Sequence, residues 1–375
     1  MKQWNWNRLL VLLLAFGAII IMPFYMLVKL VEIIVNVFRK GKEPKRFIKP
    51  DEAKERSFVG KYYVERWFGT SKQAQDNRVF YMFLFPALFS FGLFVALPFF
   101  QGIWFSLTNW TGLNRGREVF IGFENYQTIF TDYEFAYSFV RTAMYSILNI
   151  LAINLVAFGL ALLVTQKLKF KNVYRAAFFM PNLIGGLVLG YIWQFIYNRA
   201  LESLGGVFSP SIITSGETAL LGLIIVVSWQ YAGYIMMIYI AALQNVPQDL
   251  VEASQIDGAN AIQRLRHIVF PLIAQAFTIA MFLTLTTSFK QFDTVLSLTQ
   301  GGPATKLPLW LANLYNLGFQ PVVQSSDLIA INIYDEAFVN TQMGIGQAKA
   351  IVFFVVLLTV SLVQVQVNKR REVEL

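Results

Sequence analysis

Long apolar runs constrain this chain more than any other feature of its sequence. The hydrocarbon core of a bilayer is about 30 Å thick, and about 20 helical residues cross it. Runs of this kind cover residues 9–38, 79–107, 137–165, 173–197, 218–243, 271–297 and 348–367. The chain is 56% apolar and only 14% charged, which disfavours a water-soluble globule. The sequence therefore predicts an all-α, polytopic membrane protein.

Basic residues alternate between the loops that join these spans. Loop 166–175 has four bases and no acid, and residues 39–78 have twice as many bases as acids. Acids outnumber bases in three other segments, which are 108–136, 198–217 and 298–346. Because short loops rich in Lys and Arg stay in the cytoplasm, the last six spans alternate consistently across the membrane. This topology accounts for the net charge of +9 without a nucleic-acid partner.

The chain divides into four parts. Residues 1–38 are interpreted as a retained membrane anchor, either one tilted span or a hairpin broken near Pro23, because the apolar run has no clear small-residue cleavage site. Residues 39–78 form a basic cytoplasmic linker. Residues 79–367 form a six-helix core, and residues 368–375 form a cytoplasmic tail.

Several functional classes are disfavoured by missing residue types. The chain has no Cys and one His, which excludes disulfides and thiolate metal sites and leaves little for other metal chemistry. The single His267 lies in a loop, whereas an intramembrane enzyme needs a catalytic pair within the bilayer. An ion-coupled secondary carrier is the alternative transport class. However, Glu32 and Asp293 are the only acids within the spans, and together with Lys290 they form no visible acid relay.

The most informative segment is the cytoplasmic loop 246–271. Pro247 suits a first helical turn, and Asp249 complements the positive end of a helix dipole. Gly258 suits a left-handed stop, and Asn260 can cap a second helix. The loop is therefore predicted to be two short helices joined by a tight turn.

Residues 252–271, EASQIDGANAIQRLRHIVFP, resemble the EAA motif of permease subunits in binding-protein-dependent ABC importers. Ser254 and Leu265 replace the Ala and Phe of the family pattern. Shorter matches extend the resemblance over about residues 80–367 and point to the carbohydrate-uptake branch, similar to the maltose and multiple-sugar permeases. They are FIGFENYQTIF at 120–130, RAAFFMP at 175–181, LTQGGP at 298–303 and the element at 334–338. The family positions of the EAA motif are occupied by Glu252, Ala253, Asp257, Gly258, Ala259, Ile268 and Pro271.

This resemblance implies a multi-pass permease of the bacterial inner membrane that couples to a separate ATPase by alternating access. Glu252 is the expected charge partner of the ATPase, Gly258 the turn and Asp257 an orienting group. The chain has no Walker-type sequence, so ATP and Mg²⁺ are expected on partner ATPase chains and no cofactor on this one. The implied partners are a second homologous permease, two ATPase subunits and an extracytoplasmic solute-binding protein. The chain itself is not expected to be an enzyme.

The resemblance also implies a sugar path. Aligned from Pro271, four polar residues fall where the maltose permease contacts its sugar, and three aromatic residues lie at or beside matching positions in the preceding span. A role of the hydroxyls in helix packing is the alternative. Lys290 and Asp293 fit either an ion pair on one helix face or an acidic sugar, so the charge of the sugar stays open. The path residues are Thr284, Thr287, Ser288, Gln291, Trp229, Tyr231 and Tyr234.

Residues 304–333 are longer than the usual connection before the last span. The apolar stretch around residues 307–317 predicts a helix against the outer membrane face. A contact with the solute-binding protein and a purely structural insertion are the two interpretations of this segment.

Overall fold

The computed structural model describes residues 72–114, 116–166, 168–206 and 209–369. The predicted anchor, most of the linker and the end of the tail lie outside these ranges. Within them the chain is mainly helical. The helices are α1 (Lys72–Phe91), α2 (Leu97–Ser106), α3 (Glu124–Thr131), α4 (Tyr133–Val164), α5 (Lys171–Phe179), α6 (Gly186–Phe195), α7 (Ala219–Gln244), α8 (Gln248–Ile256), α9 (Ala261–Arg264), α10 (Phe270–Leu272), α11 (Ala274–Phe289), α12 (Asp293–Leu298), α13 (Leu309–Leu314), α14 (Ile329–Tyr334) and α15 (Met343–Lys369).

Short π-helical and 3-10 turns and one small sheet complete the described structure. The π-helical turns are Gly92–Ala96, Ile196–Leu201, Leu265–Val269 and Asp335–Val339, and the 3-10 turns are Met180–Leu183 and Glu202–Leu204. Strands β1 (Ala304–Lys306) and β2 (Val322–Gln324) pair antiparallel, with Thr305 opposite Val323.

Six membrane spans are present in the described residues when each bent helix pair is counted as one span. Four are continuous: Phe83–Ser106, Tyr133–Val164, Ala219–Gln244 and Met343–Asn368. The other two are bent, by 98° between Lys171–Leu183 and Gly186–Leu204, and by 74° between Ala261–Leu272 and Ala274–Phe289. The predicted number of core spans is confirmed. The predicted spans 173–197 and 271–297 correspond to the two bent pairs, and the bends are a feature that the prediction did not include.

Prolines account for the position of both bends. Pro181 lies in the 3-10 turn that ends the first half of the third core span, and Ile184 is extended. In the fifth span Pro271 follows a π-helical turn, and the backbone leaves the α region at Ile273. Proline has no N–H and clashes with the preceding helical turn, so the regular hydrogen-bond ladder breaks beside it.

The described chain divides after residue 100 into two compact units. In the second unit the apolar core joins α4, α6, α7, α11 and α12 around the fully buried rings of Tyr145 and Tyr239. Gly233 of α7 is needed for the close packing, because a Cβ there would lie 1.8 Å from the carbonyl oxygen of Phe178. The described core therefore holds the bent spans against α7.

Candidate functional site

The loop between α7 and α11 has the predicted two-helix form. Helix α8 begins at Gln248, one residue after Pro247, so Pro247 lies at the N-cap and not inside the first turn. Gly258 has a φ of +78°, and its N–H donates to the carbonyl of Gln255 at 3.1 Å. Only glycine adopts this backbone conformation without strain. Gly258 alone therefore determines the turn after α8.

A capping box starts the second helix. The Gln263 N–H donates to Asn260 Oδ1 at 2.9 Å, and the Asn260 N–H donates to Gln263 Oε1 at 2.8 Å. The Arg264 guanidinium donates to the Ala259 carbonyl at 2.9 Å. These bonds satisfy backbone groups at the helix start, so they hold the two helices in a defined arrangement.

The loop presents unpaired acidic and apolar side chains to its surroundings. The predicted coupling residues Glu252, Ala253, Asp257 and Gly258 are all exposed, and Ala259 is half-buried. The carboxylates of Glu252 and Asp257 make no hydrogen bond or ion pair within the described part of the chain. Such a surface is suited to docking another protein.

Two apolar residues of this surface escaped the sequence analysis. Ile256 is 88% exposed and Ile262 is 77% exposed, on either side of the turn. Their signal in the sequence was an apolar side chain at a position where a solvent-facing short helix needs a polar one.

A polar cavity of about 310 Å³ lies between the bent spans and α7. Three of the predicted path residues, Tyr231, Thr287 and Gln291, line it. The other lining residues are Gly186, Gln230, Thr286, Lys290, Phe292, Asp293 and Thr294. The cavity thus combines hydroxyl, amide, aromatic and oppositely charged groups.

Two other predicted path residues lie in a buried polar network between helices. The Oγ of Ser288 accepts a hydrogen bond from Asn149 Nδ2 at 2.8 Å, and Thr284 Oγ1 accepts one from Asn154 Nδ2 at 3.0 Å. Tyr239 donates to Asn154 Oδ1 at 2.6 Å. The hydrogen bonds of Ser288 and Thr284 therefore agree with the alternative in which these hydroxyls pack helices together.

The two remaining path residues lie on α7 outside the cavity lining. Trp229 is 45% exposed, and its ring centroid lies 5.6 Å from that of Trp193 in an edge-to-face contact. Tyr234 is 36% exposed. Both rings therefore lie at the surface of this chain.

Lys290 and Asp293 line the same cavity but do not share a helix. Helix α11 ends at Phe289, and Asp293 opens α12. No ion pair joins the two side chains, which are both among the described residues. The interpretation as an ion pair on one helix face is therefore wrong, and both charges face the cavity without neutralising each other by contact.

Gln230 and Thr294 were missed by the sequence analysis. Gln230 donates to the Ile184 carbonyl at 3.0 Å, while its Oε1 and the Oγ1 of Thr294 are buried and have no hydrogen-bond partner among the described residues. Gln230 is a polar residue within an apolar run, between two aromatic residues that were selected. A polar residue at such a position in a span usually faces a cavity or another helix, and this was the feature of the sequence that could have identified Gln230.

A buried ion cluster lies at the outer end of the described core. Lys349 of α15 is 1% exposed, and its Nζ lies 2.8 Å from Asp132 Oδ2 and 2.8 Å from Glu336 Oε2. It also donates to Asn332 Oδ1 at 3.0 Å. Nearby, burial raises the pKa of Asp327 to about 7. The cluster joins the start of α4 to α15 and to the turn before it.

These features are those of an integral-membrane transport permease, with a bent-helix core, a polar cavity and an exposed two-helix loop. The profile of the family "binding-protein-dependent transport system inner membrane component" matches residues 80–373, and the chain belongs to this family. It is a family of ABC importer permease subunits and not of enzymes, and its members are multi-pass membrane proteins.

Similar proteins include a probable starch degradation products transport system permease of Thermoanaerobacterium thermosulfurigenes. It is 41% identical over 79% of this chain and 96% of its own length. A trehalose/maltose transport system permease of Thermococcus litoralis is 27% identical over 80% of this chain and 98% of its own length. The fold is similar to a chain of a bacterial ABC transporter involved in import of the acidic polysaccharide alginate. The TM-score is 0.63 at 20% identity, covering 80% of this chain and 98% of that one.

Proposed function

We propose that this chain is the permease subunit of an ABC importer and forms half of the translocation path for a neutral sugar or oligosaccharide. The observation that carries the proposal is the exposed two-helix loop, joined directly to α7 and to the bent span that ends in α11. The polar cavity is lined by the middle of α7 and by the last turn of α11, so the same two helices connect the loop to the path.

Coupling follows from the stiffness of this connection. The capping box and the Gly258 turn fix the two loop helices, and the second helix continues through Pro271 to the bend at Ile273. A push on Ile256, Ile262 and the Glu252 carboxylate would therefore move α11 rather than deform the loop. The expected partner is an ATPase subunit that binds ATP and Mg²⁺ and presents a basic residue to Glu252. Its closure would drive alternating access.

The cavity favours a neutral solute. Thr287, Gln291 and Gln230 offer hydrogen-bonding groups, and Tyr231 and Phe292 offer ring faces for the C–H surface of a sugar. Lys290 and Asp293 carry opposite charges, so the lining has no net charge to balance an acidic sugar. Similarity to the starch-product and maltose permeases supports a glucose-based oligosaccharide.

The proposal includes a second homologous permease for the other half of the path, a second ATPase subunit and an extracytoplasmic solute-binding protein. The alternative, an ion-coupled carrier, predicts uptake driven by an ion gradient without ATP. Uptake of labelled maltooligosaccharides into vesicles of the assembled transporter separates the two. The proposal requires internal ATP, and uptake that depends on an ion gradient alone would overturn it.

Replacing Thr287 with valine or Gln291 with leucine is expected to raise the KM for oligosaccharide uptake by up to about 10-fold each. Each substitution removes a hydrogen-bonding group worth about 0.5–1.5 kcal/mol while keeping the side-chain volume similar. Thr359→Val is the matched control, because Thr359 is exposed on α15 and bonds only to the Val355 carbonyl of its own helix. An unchanged KM in both cavity variants would contradict the assignment of the cavity.

A further inference from the structure

The outer segment 303–324 forms a small apolar hairpin, called here the outer hairpin. Its strands β1 and β2 enclose α13. Leu307, Leu311 and Val323 are buried against Tyr137 of α4. The Arg141 Nε donates to the Ser325 carbonyl at 2.8 Å, which ties the base of the hairpin to the same helix. The hairpin is thus a packed element.

The outward side of the hairpin is largely apolar, and its one charged residue is the exposed Lys306 of β1. Residues 307–326 contain no Asp, Glu, Lys, Arg or His. Trp310 is 55% exposed and Leu314 is 68% exposed, one helical turn apart on α13. The other exposed apolar residues of the hairpin are Leu309, Phe319 and Val322. A surface facing water would be expected to carry several charges, whereas the stretch from Leu307 to Ser326 carries none.

The position of the hairpin along α4 matches the headgroup region. Helix α4 has 32 residues. At 1.5 Å per residue its length is about 48 Å, against about 30 Å for the hydrocarbon core, so about 9 Å extend beyond the core at each end when the helix is centred. Tyr133 and Tyr137, which contact the hairpin, lie within about 6 Å of the helix start. Tyr and Trp side chains concentrate at this depth.

The hairpin also continues an apolar stripe of α4. Tyr133, Ala136 and Tyr137 pack against the hairpin, and the same helix face then runs inward at spacings of three and four residues. The exposed residues of this stripe are Val140, Met144, Ile147, Leu151 and Leu155. Hairpin and stripe form one apolar surface that passes from the headgroup depth into the hydrocarbon depth.

We propose that the outer hairpin lies in the outer headgroup region of the bilayer, with Trp310 and Leu314 inserted among the lipids. The uncharged stretch from Leu307 to Ser326, the exposed Trp310, the depth on α4 and the continuity with its apolar stripe all favour lipid as the occupant. An anchor of this kind fixes the height of the last outer connection relative to the membrane. The proposal depends on the membrane topology and not on the identity of the solute.

Spin labels test the proposal directly, because the chain contains no cysteine. Trp310→Cys and Leu314→Cys are labelled in the complete transporter reconstituted in lipid nanodiscs. Leu151→Cys and Arg117→Cys, an exposed residue of another outer loop, are the lipid and water references. Collision with oxygen, which partitions into lipid, is compared with collision with a water-soluble nickel chelate. We expect an oxygen-to-nickel ratio at 310 and 314 at least 3-fold higher than at 117, with or without the solute-binding protein.

Three results would overturn the proposal. A ratio at 310 and 314 equal to that at 117 places the hairpin in water. Shielding from both reagents that appears only when the binding protein is added makes that protein the occupant. Shielding from both reagents without the solute-binding protein places the hairpin against another subunit. A photoreactive side chain at 314 provides a second measurement, for which we expect lipid adducts and no protein adduct.

Discussion

The variant Gly258→Pro is expected to lose ATP-driven uptake, to below about one tenth of the wild-type rate, while the transporter still inserts and its ATPase subunits still hydrolyse ATP. Gly258 has a φ of +78°, whereas proline holds φ near −65°. Proline also removes the N–H that donates to the Gln255 carbonyl. The turn between the loop helices must then change, and the loop loses its docking shape.

Gly258→Asn is the matched control, because asparagine tolerates the left-handed conformation better than other non-glycine residues. No atom lies within 4 Å of a Cβ built at this position, so the side chain has space. Uptake, ATPase activity and the amount of inserted protein are measured in the same vesicles. Wild-type uptake by the proline variant would contradict the coupling role of the turn. Equal loss in both variants would show that any side chain at 258 blocks docking.

The second large effect is expected at the buried ion cluster. Lys349→Ala leaves Asp132 and Glu336 facing each other without the ammonium group that joins them. Removing one partner from a buried ion pair costs about 3–5 kcal/mol, because the remaining charge stays unpaired in a low-dielectric site. We expect a loss of thermal stability of the purified transporter of several degrees.

Two variants separate charge pairing from side-chain loss. Lys306→Ala removes an exposed lysine on the same outer side and is expected to change stability by less than about 0.5 kcal/mol. Adding Asp132→Asn and Glu336→Gln to Lys349→Met removes all three charges and is expected to recover part of the loss. Thermal unfolding followed by size-exclusion chromatography is the measurement. A Lys349→Ala protein as stable as Lys306→Ala would contradict the account of the cluster.

The sequence was sufficient for features that depend on local chemistry. Span number follows from apolar runs of membrane length, and the two-helix loop follows from Gly258 and Asn260, whose conformational preferences act within a few residues. The bends were not predicted. Pro181 and Pro271 were visible, but the bend angles depend on where each half packs, as the burial of Ile273 illustrates.

Only part of the candidate path was predicted, because the rest also depends on long-range packing. Tyr231, Thr287 and Gln291 line the cavity, whereas Ser288 and Thr284 hydrogen-bond to asparagines of α4. That network joins residues more than a hundred positions apart, which neither periodicity nor alignment of one span can reveal. The ion cluster of Lys349 was not predicted either, because its acidic partners Asp132 and Glu336 lie on two other elements.

The central claim is that the loop after α7 docks on a separate ATPase, and crosslinking tests it most directly. Ile256→Cys, on the exposed side of α8, is coupled to a short bifunctional reagent in the complete transporter, with Leu113→Cys on the outer loop as control. We predict a crosslink from residue 256 to the ATPase subunit, changed in yield by ATP, and none from residue 113. Absence of that crosslink from 256 in an active transporter, or labelling of 256 from outside intact cells, would contradict the account.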